Sequence, residues 1–454
     1  MTVEGLTINS LKKKDLLTLG FMMFSIYFGA GNLIFPPALG QAAGDHTLHA
    51  MLGFMTTGIG LPLLGITAIA LAGGEYVPLL HAKTWPRFAT VLLVILYLII
   101  GPLFAMPRTG AVSFEIGIRP FLSADNLALG QIIYTAIFFA SSYYLALNPN
   151  KIIDRVGRML TPALLIVLLI LFVQAFHAPL GAILPATGAY INAPFAQGFQ
   201  DGYQTMDLLA SIAIGALVAN AVRMRGITDS RAVGAACLVS GLITVMLMAA
   251  VYGSLAYIGA TSTSVLGQAE NGGQILSAAV GIFFGSAGNL LLAVIIGLAC
   301  LTTCCGITSS AAMFFNKLLK GRISYERLLL FSILFSFAAS NVGLTQIIAL
   351  AIPFLVTIYP LIIVFVILSL FDRFIGWRKS IYQGAMALTL VFSFIDGLHA
   401  AGLSSEPVHA LLVAYIPFYN IMMGWVCPAV IGALVGLIIS FFQTVPRAAE
   451  ESHV

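Results

Sequence analysis

The sequence predicts an all-α protein that crosses a membrane about twelve times. Three observations predict it. The 454 residues are 60% hydrophobic and only 8% charged, with a mean hydropathy of +1.01, whereas soluble domains carry about a quarter charged residues. Apolar runs that reach the roughly 20 residues needed to span a hydrocarbon core recur along the whole length. Lys and Arg alternate between loops, 19 of the 21 falling on the side of the amino terminus.

Twelve spans follow in order, near 16–40, 48–72, 88–112, 128–147, 159–178, 200–222, 232–258, 288–317, 326–343, 345–371, 381–401 and 410–442. Lys12, Lys13 and Lys14 precede the first, Lys317, Lys320 and Arg322 follow the eighth, and only Arg108 and Arg119 face the other way. Cytoplasmic loops retain basic residues, so both termini are expected inside, which an even number of spans requires. The same bias accounts for the net charge of +4, and no nucleic-acid partner is needed. The basic start and the small residues of 39–44 resemble a signal peptide. A core broken by glycines and closed by Pro36 and Pro37 argues against that. Cys237, Cys300, Cys304, Cys305 and Cys427 all sit in apolar spans, as inert core thiols do.

The chain reads as a single membrane domain over 1–454, with no soluble domain and no long linker. Function must therefore lie within the membrane. The first span holds 28-FGAGN-32 at mid-depth and the sixth holds 201-DGYQTMD-207. Interruptions five spans apart are the pattern of a transporter built from inverted repeats. A helix opened in lipid exposes amides and carbonyls at several kcal/mol each unless something satisfies them, and a ligand can do so. A half-helix beginning after Gly31 would point free N–H groups at a carboxylate, and one ending near Phe28 would offer carbonyls to an ammonium group or a cation. Together these suit a zwitterionic amino acid. In this arrangement Gly31 is expected at a positive φ, where a Cβ would be strained. The alternative is a glycine kink accommodated by close helix packing.

In the eighth span Thr302, Thr303, Thr308, Ser309 and Ser310 crowd into three turns. Neutral oxygens without a carboxylate suit a monovalent cation such as Na⁺ and not Ca²⁺ or zinc. Asp207, in the middle of the sixth span beside Thr205, is the clearest intramembrane charge and a functional candidate. Arg108 and Glu115, seven residues apart, share one face of the third span. Glu75 and Asp396 stand near span ends, where charged groups reach water.

The strings 28-FGAGNLIFPPALGQAAG-44, 101-GPLFAMPRTGAVSFE-115, 202-GYQTMD-207 and 301-LTTCCGITSS-310 occur in the order found in the bacterial branched-chain amino acid carriers of the BrnQ type, which the chain resembles over essentially its full length. The resemblance implies cation-coupled uptake of leucine, isoleucine and valine through a bacterial plasma (inner) membrane, with Na⁺ as the coupling ion and no organic cofactor. Its partners would be the amino acid and membrane lipid. That family is similar in turn to LeuT-type carriers. This implies inverted five-helix repeats near 16–178 and 200–371, with broken first and sixth helices, and two extra helices over 381–442.

Carried over by that resemblance, the amides of Ala30 and Gly31, beside Asn32, would take the substrate carboxylate, and the Tyr27 carbonyl would face its ammonium. Thr205, Met206 and Asp207 would lie near the substrate. The Thr308 and Ser309 hydroxyls and the carbonyls of Cys305, Ser25 and Phe28 would hold Na⁺. Asp207 departs from the broader pattern, where a small neutral residue stands. Proton coupling through Asp207 is therefore the alternative to sodium. No nucleotide loop, metal cluster or nucleophile with its base is present in the sequence, so an enzyme or ATP-driven pump has no engine here. A channel would need a ring of carbonyls or charges, and none is evident.

Overall fold

The computed structural model describes residues 12–74, 76–147, 149–375 and 378–442. Glu75 and Arg447 lie outside them. Among the described residues every regular element is helical, as backbone buried in hydrocarbon requires unless a closed barrel forms.

The first span comprises α1 (Lys13–Tyr27) and α2 (Ala30–Ala43). Between them Phe28 (φ −72°, ψ 96°) and Gly29 (φ −123°, ψ −170°) are extended. Next come α3 (Thr47–Met55) and α4 (Leu61–Leu71), joined through a single wide turn, and the short connector α5 (Tyr76–Lys83). The third span is α6 (Pro86–Leu98) and α7 (Ala105–Gly117), kinked where Gly101 leaves helical geometry before Pro102. After α8 (Leu127–Ala146) and α9 (Pro149–His177), the sixth span is broken. Its halves are α10 (Pro194–Asp201), continued by a tight turn over Gly202–Thr205, and α11 (Asp207–Arg223), bent by 48°.

The long α12 (Ser230–Leu266) leads to α13 (Gly272–Leu318). The latter begins well before the expected 288 and bends at Gly285, whose φ of +65° is cheap only for glycine. Then follow α14 (Tyr325–Ser340), α15 (Leu344–Leu370), α16 (Asp372–Ile375) and α17 (Lys379–Ala400). The expected single span over 410–442 is instead two helices, α18 (Glu406–Tyr415) and α19 (Val426–Phe442). Pro417 stops the first, because the residue before a proline avoids helical geometry, and Phe418 and Met422 then turn left-handed. Among the described residues, seven helical stretches are long and apolar enough to cross a membrane, or eight with the bent sixth pair taken as one span.

Two groups of helices pack around the breaks. In one, α12 lies along α1, α2 and α4, while α11 meets α4 and α10 meets α3. In the other, α13 packs on α7, α8 and α14, and its first turn joins the two groups by lying against α2, where a Cβ on Gly272 would come within 1.7 Å of the Ile34 carbonyl oxygen. The contact between α2 and α12 is backbone to backbone. A Cβ on Gly40 would come within 1.9 Å of the Ala256 carbonyl oxygen, and one on Gly259 within 2.0 Å of that of Pro37. Small residues at such crossings are how membrane helices gain van der Waals contact without a hydrophobic drive. Outward-facing Ile137, Leu169, Leu290 and Val430 stay exposed, as lipid-facing side chains do. At one end Lys83 and Asp372, both buried, pair at 2.8 Å and tie α5 to α16.

Candidate functional site

The two helix breaks meet. Helix α1 ends when Phe28 N–H donates to the Phe24 carbonyl at 2.8 Å and the next residue turns extended. Helix α2 restarts at Ala30, with Gly29 as its cap, rather than after Gly31. The reason is Asn32: its Oδ1 reaches back to accept the Gly29 N–H at 3.3 Å, satisfying one donor that a helix start leaves open. The same amide then binds across the protein. Its Nδ2 donates to Asp207 Oδ2 at 2.7 Å and to the Tyr252 hydroxyl, and Tyr252 donates to the same carboxylate oxygen at 3.4 Å. Asn32, Asp207 and Tyr252 thus close a buried polar ring between α2, α11 and α12.

The sixth-span break is built by Met206, a non-glycine residue held at φ 62°, ψ 13°. Its left-handed turn ends the tight helix at Thr205 and lets α11 begin at Asp207. Thr205 supports the corner, its Oγ1 donating to the Gly202 carbonyl at 2.9 Å and accepting from the Asp207 N–H at 3.4 Å. The Met206 side chain is buried, and its left-handed backbone makes it the hinge of the break. Tyr27, in the last turn of α1, anchors its hydroxyl on the Pro62 carbonyl at 3.3 Å.

Arg108 enters from α7. Its Nη1 donates to the Gln204 carbonyl at 2.5 Å and its Nη2 to that of Thr205 at 3.5 Å. Although they share one face of the span, Arg108 and Glu115 do not pair, because seven residues rise about 10 Å along a helix. Glu115 instead accepts from Arg119 at 2.8 Å, Gln274 at 2.8 Å and Asn271 at 3.2 Å, fastening α7 to the start of α13. Gly31 also differs from expectation. It is absent from the positive-φ residues, and its lack of a side chain has a steric reason. A Cβ there would stand 2.9 Å from Arg108 Nη2 and 3.2 Å from the Phe35 ring.

Of the eighth-span hydroxyls, Thr302, Thr308 and Ser310 each donate to their own helix, to Ala299, Cys304 and Gly306 respectively, the ordinary fate of such groups. Thr308 Oγ1 also meets Met106 Sδ at 3.5 Å. Ser309 Oγ is buried with no hydrogen-bond partner. The Cys305 thiol donates to the Ser142 carbonyl at 3.6 Å. Thr303 lies against the first-span break, its Oγ1 3.8 Å from a Cβ built on Gly29. The structure therefore joins Asn32, Thr205 and Asp207 directly, adds Tyr252 and Arg108, and leaves Thr308 turned toward its own helix and Met106. A tyrosine in an apolar run carries no sequence signal, which is why Tyr252 escapes a reading of the chain.

Chemically, the junction offers helix-start N–H groups on one side. Carbonyls, a carboxylate and a guanidinium face them. Such an arrangement can hold both ends of a zwitterion.

Residues 12–443 match the family described as branched-chain amino acid transport protein. The chain is 46% identical over 434 residues to the branched-chain amino acid permease BraB of Bacillus subtilis, covering 96% of this chain and 97% of that relative. It is 43% identical over 439 residues to the branched-chain amino acid transport system 2 carrier protein of Pseudomonas aeruginosa, covering 97% and 99%. Among solved structures it is similar to Mhp1, a nucleobase-cation-symport-1 family transporter, in a closed conformation with bromovinylhydantoin bound. The TM-score is 0.57 at 15% identity, over 93% of this chain and 92% of that one. At that identity the likeness shows a shared, LeuT-like fold.

Proposed function

Because the chain belongs to the family of branched-chain amino acid transport proteins and is a transporter, not an enzyme, we propose that it imports leucine, isoleucine and valine with Na⁺ by alternating access across a bacterial inner membrane. The observation that carries this reading is the junction of two broken helices, joined at 2.7 Å between Asn32 and Asp207. Helix breaks in a bilayer are tolerated where they line a binding site. In this reading the first-turn amides Ala30 and Gly31 face the substrate carboxylate. The Tyr27 carbonyl, with Thr205, Met206 and Asp207, surrounds its ammonium.

Twelve spans with both termini inside, arranged as two inverted five-helix repeats plus two helices, complete the proposal. The basic asymmetry of the loops and the two breaks five spans apart support it. For sodium, the supporting observation is Ser309, whose buried hydroxyl lacks an internal partner. A buried oxygen of this kind suits a bare monovalent cation, with Thr308 and the carbonyls of Cys305, Ser25 and Phe28 as the other ligands.

A second reading, proton coupling, is favoured by a specific observation. Among the described residues no Lys or Arg stands within ion-pair distance of the buried Asp207 carboxylate. One experiment separates them: leucine uptake into proteoliposomes under a Na⁺ gradient at fixed pH, against uptake under a pH gradient without Na⁺. Uptake driven by Na⁺ alone supports the first reading. Uptake driven by the pH gradient alone replaces it with the second.

A further inference from the structure

Arg108 has no part in the reading above. It stands at the start of α7, just past the kink at Gly101, and is carried into the interior with 5% of its surface exposed. A buried guanidinium costs several kcal/mol unless paired, and its best partner is a carboxylate held by two N–H groups in a fork. No carboxylate lies within ion-pair distance of it among the described residues. It rests instead on two backbone carbonyls, Gln204 at 2.5 Å and Thr205 at 3.5 Å, and its Nε is buried with no partner. Its opposite face looks at the first turn of α2. There Nη2 would be 2.9 Å from a Cβ on Gly31, and Cζ lies 5.2 Å from the Phe35 ring centre. The cation thus sits between the last carbonyls of one broken helix and the first turn of the other.

We propose that Arg108 recognises the carboxylate of the transported amino acid and, in turning to it, yields the Gln204 and Thr205 carbonyls to the substrate ammonium. The inference rests on the amino acid carrier reading. A carboxylate would meet the fork geometry that two separate carbonyls do not, and would give Nε the acceptor it lacks. The freed carbonyls, with Asp207 at the adjoining corner, offer acceptors for the three ammonium donors. One cation replaces another, so the sixth-span break is never left with bare carbonyls. Discrimination follows from the exchange. A ligand without a carboxylate gains nothing from Arg108, and a ligand without an ammonium leaves the carbonyls unpaired once Arg108 has moved.

The test is binding of tritiated leucine to the full-length protein in lipid nanodiscs with Na⁺ present, displaced by leucine, by leucinol and by isocaproate. In the wild type, leucinol and isocaproate should displace leucine on the order of 100-fold more weakly than leucine itself. Arg108→Gln should weaken leucine about 10-fold to 100-fold while leucinol changes by less than about threefold, so that the discrimination collapses, with Arg108→Lys between the two. Equal losses for leucine and leucinol in Arg108→Gln would mean that the residue only caps the helix break, and would overturn the proposal. Should both variants fail to fold, the wild type still decides, because leucinol binding as tightly as leucine refutes recognition of the carboxylate. Absence of leucine binding in the wild type would instead refute the carrier reading, a distinct outcome.

Discussion

Asn32 is the residue that links the two helix breaks, and its replacement gives a graded prediction. In Asn32→Ala, Gly29 N–H loses its 3.3 Å acceptor, and Asp207 loses a 2.7 Å donor. Tyr252 loses its side-chain partner on α2. A hydrogen bond to a charged group contributes about 1.5 to 3 kcal/mol and a neutral one about 1 kcal/mol, so the total is about 2 to 4 kcal/mol once relaxation is allowed. If the loss falls on the geometry that binds substrate, leucine affinity drops about 30-fold to 1000-fold. Tyr252→Phe removes the hydroxyl that accepts from Asn32 and donates to Asp207 at 3.4 Å, and should cost about tenfold. The decisive variant is the exchange Asn32→Asp with Asp207→Asn. On its own, Asn32→Asp sets a second carboxylate against that of Asp207 at a donor's distance and should be as damaging as alanine. In the double variant the donor and acceptor trade places while an oxygen at position 32 still caps Gly29. Leucine binding to purified, correctly inserted protein measures all four. Recovery of at least about tenfold in the exchange over Asn32→Asp is expected. If the exchange recovers nothing, or if Asn32→Ala binds leucine like the wild type, the junction is not what holds the site.

Further outcomes follow from the same geometry. Gly31→Leu should abolish leucine binding without preventing insertion, since its first side-chain atom already meets Arg108 at 2.9 Å; wild-type uptake by a well-expressed variant would reduce this segment to a kink. Ser309→Ala should raise the Na⁺ concentration for half-maximal uptake by about 5-fold to 150-fold, and more than Thr308→Ala, whose hydroxyl is shared with its own helix; unchanged Na⁺ dependence in both would remove the sodium assignment. Asp372→Asn should destabilise the protein by about 3 to 5 kcal/mol, because it removes the buried carboxylate that neutralises the Lys83 ammonium. Lys83→Met combined with Asp372→Leu should recover most of that in a thermal melt. A reporter inserted at Gly321 should be cytoplasmic and one at Gly267 outside, and the reverse pattern would overturn the twelve-span topology.

Much of the site is legible in the chain because membranes make polarity expensive. Glycine, asparagine and proline in an apolar run announce the first break, and a carboxylate in the sixth span announces the other. What is not legible depends on partners in space. Helix α2 starts at Ala30 because a side chain three residues on caps Gly29, a choice that composition does not encode. Arg108 and Glu115 share a helical face, so their spacing invites a pair. The helix rise separates them, and each goes to a different neighbour. The last span divides for a local reason: Pro417 and Gly424 lie within a run apolar enough to hide a turn.

The distribution of contacts indicates where movement would have to occur. Both halves of the first span are bound to α12. On α1 the Thr244 hydroxyl donates to the Gly20 carbonyl at 2.9 Å, and on α2 glycines bring the backbones into contact. Backbone-to-backbone packing of that kind leaves no slack for sliding. The third span is instead fixed to α13 at its outer end through Glu115. Any movement of α7 relative to α2, α11 and α12 would leave the Asn32, Asp207 and Tyr252 ring intact, because none of the three stands on α7. It would break the bonds from Arg108 to Gln204 and Thr205, which cross from one group to the other. The residue that would sense the substrate carboxylate is therefore also the polar tie that a change of access must undo. A ligand that takes Arg108 away from those carbonyls would by the same contact lower the barrier to that change.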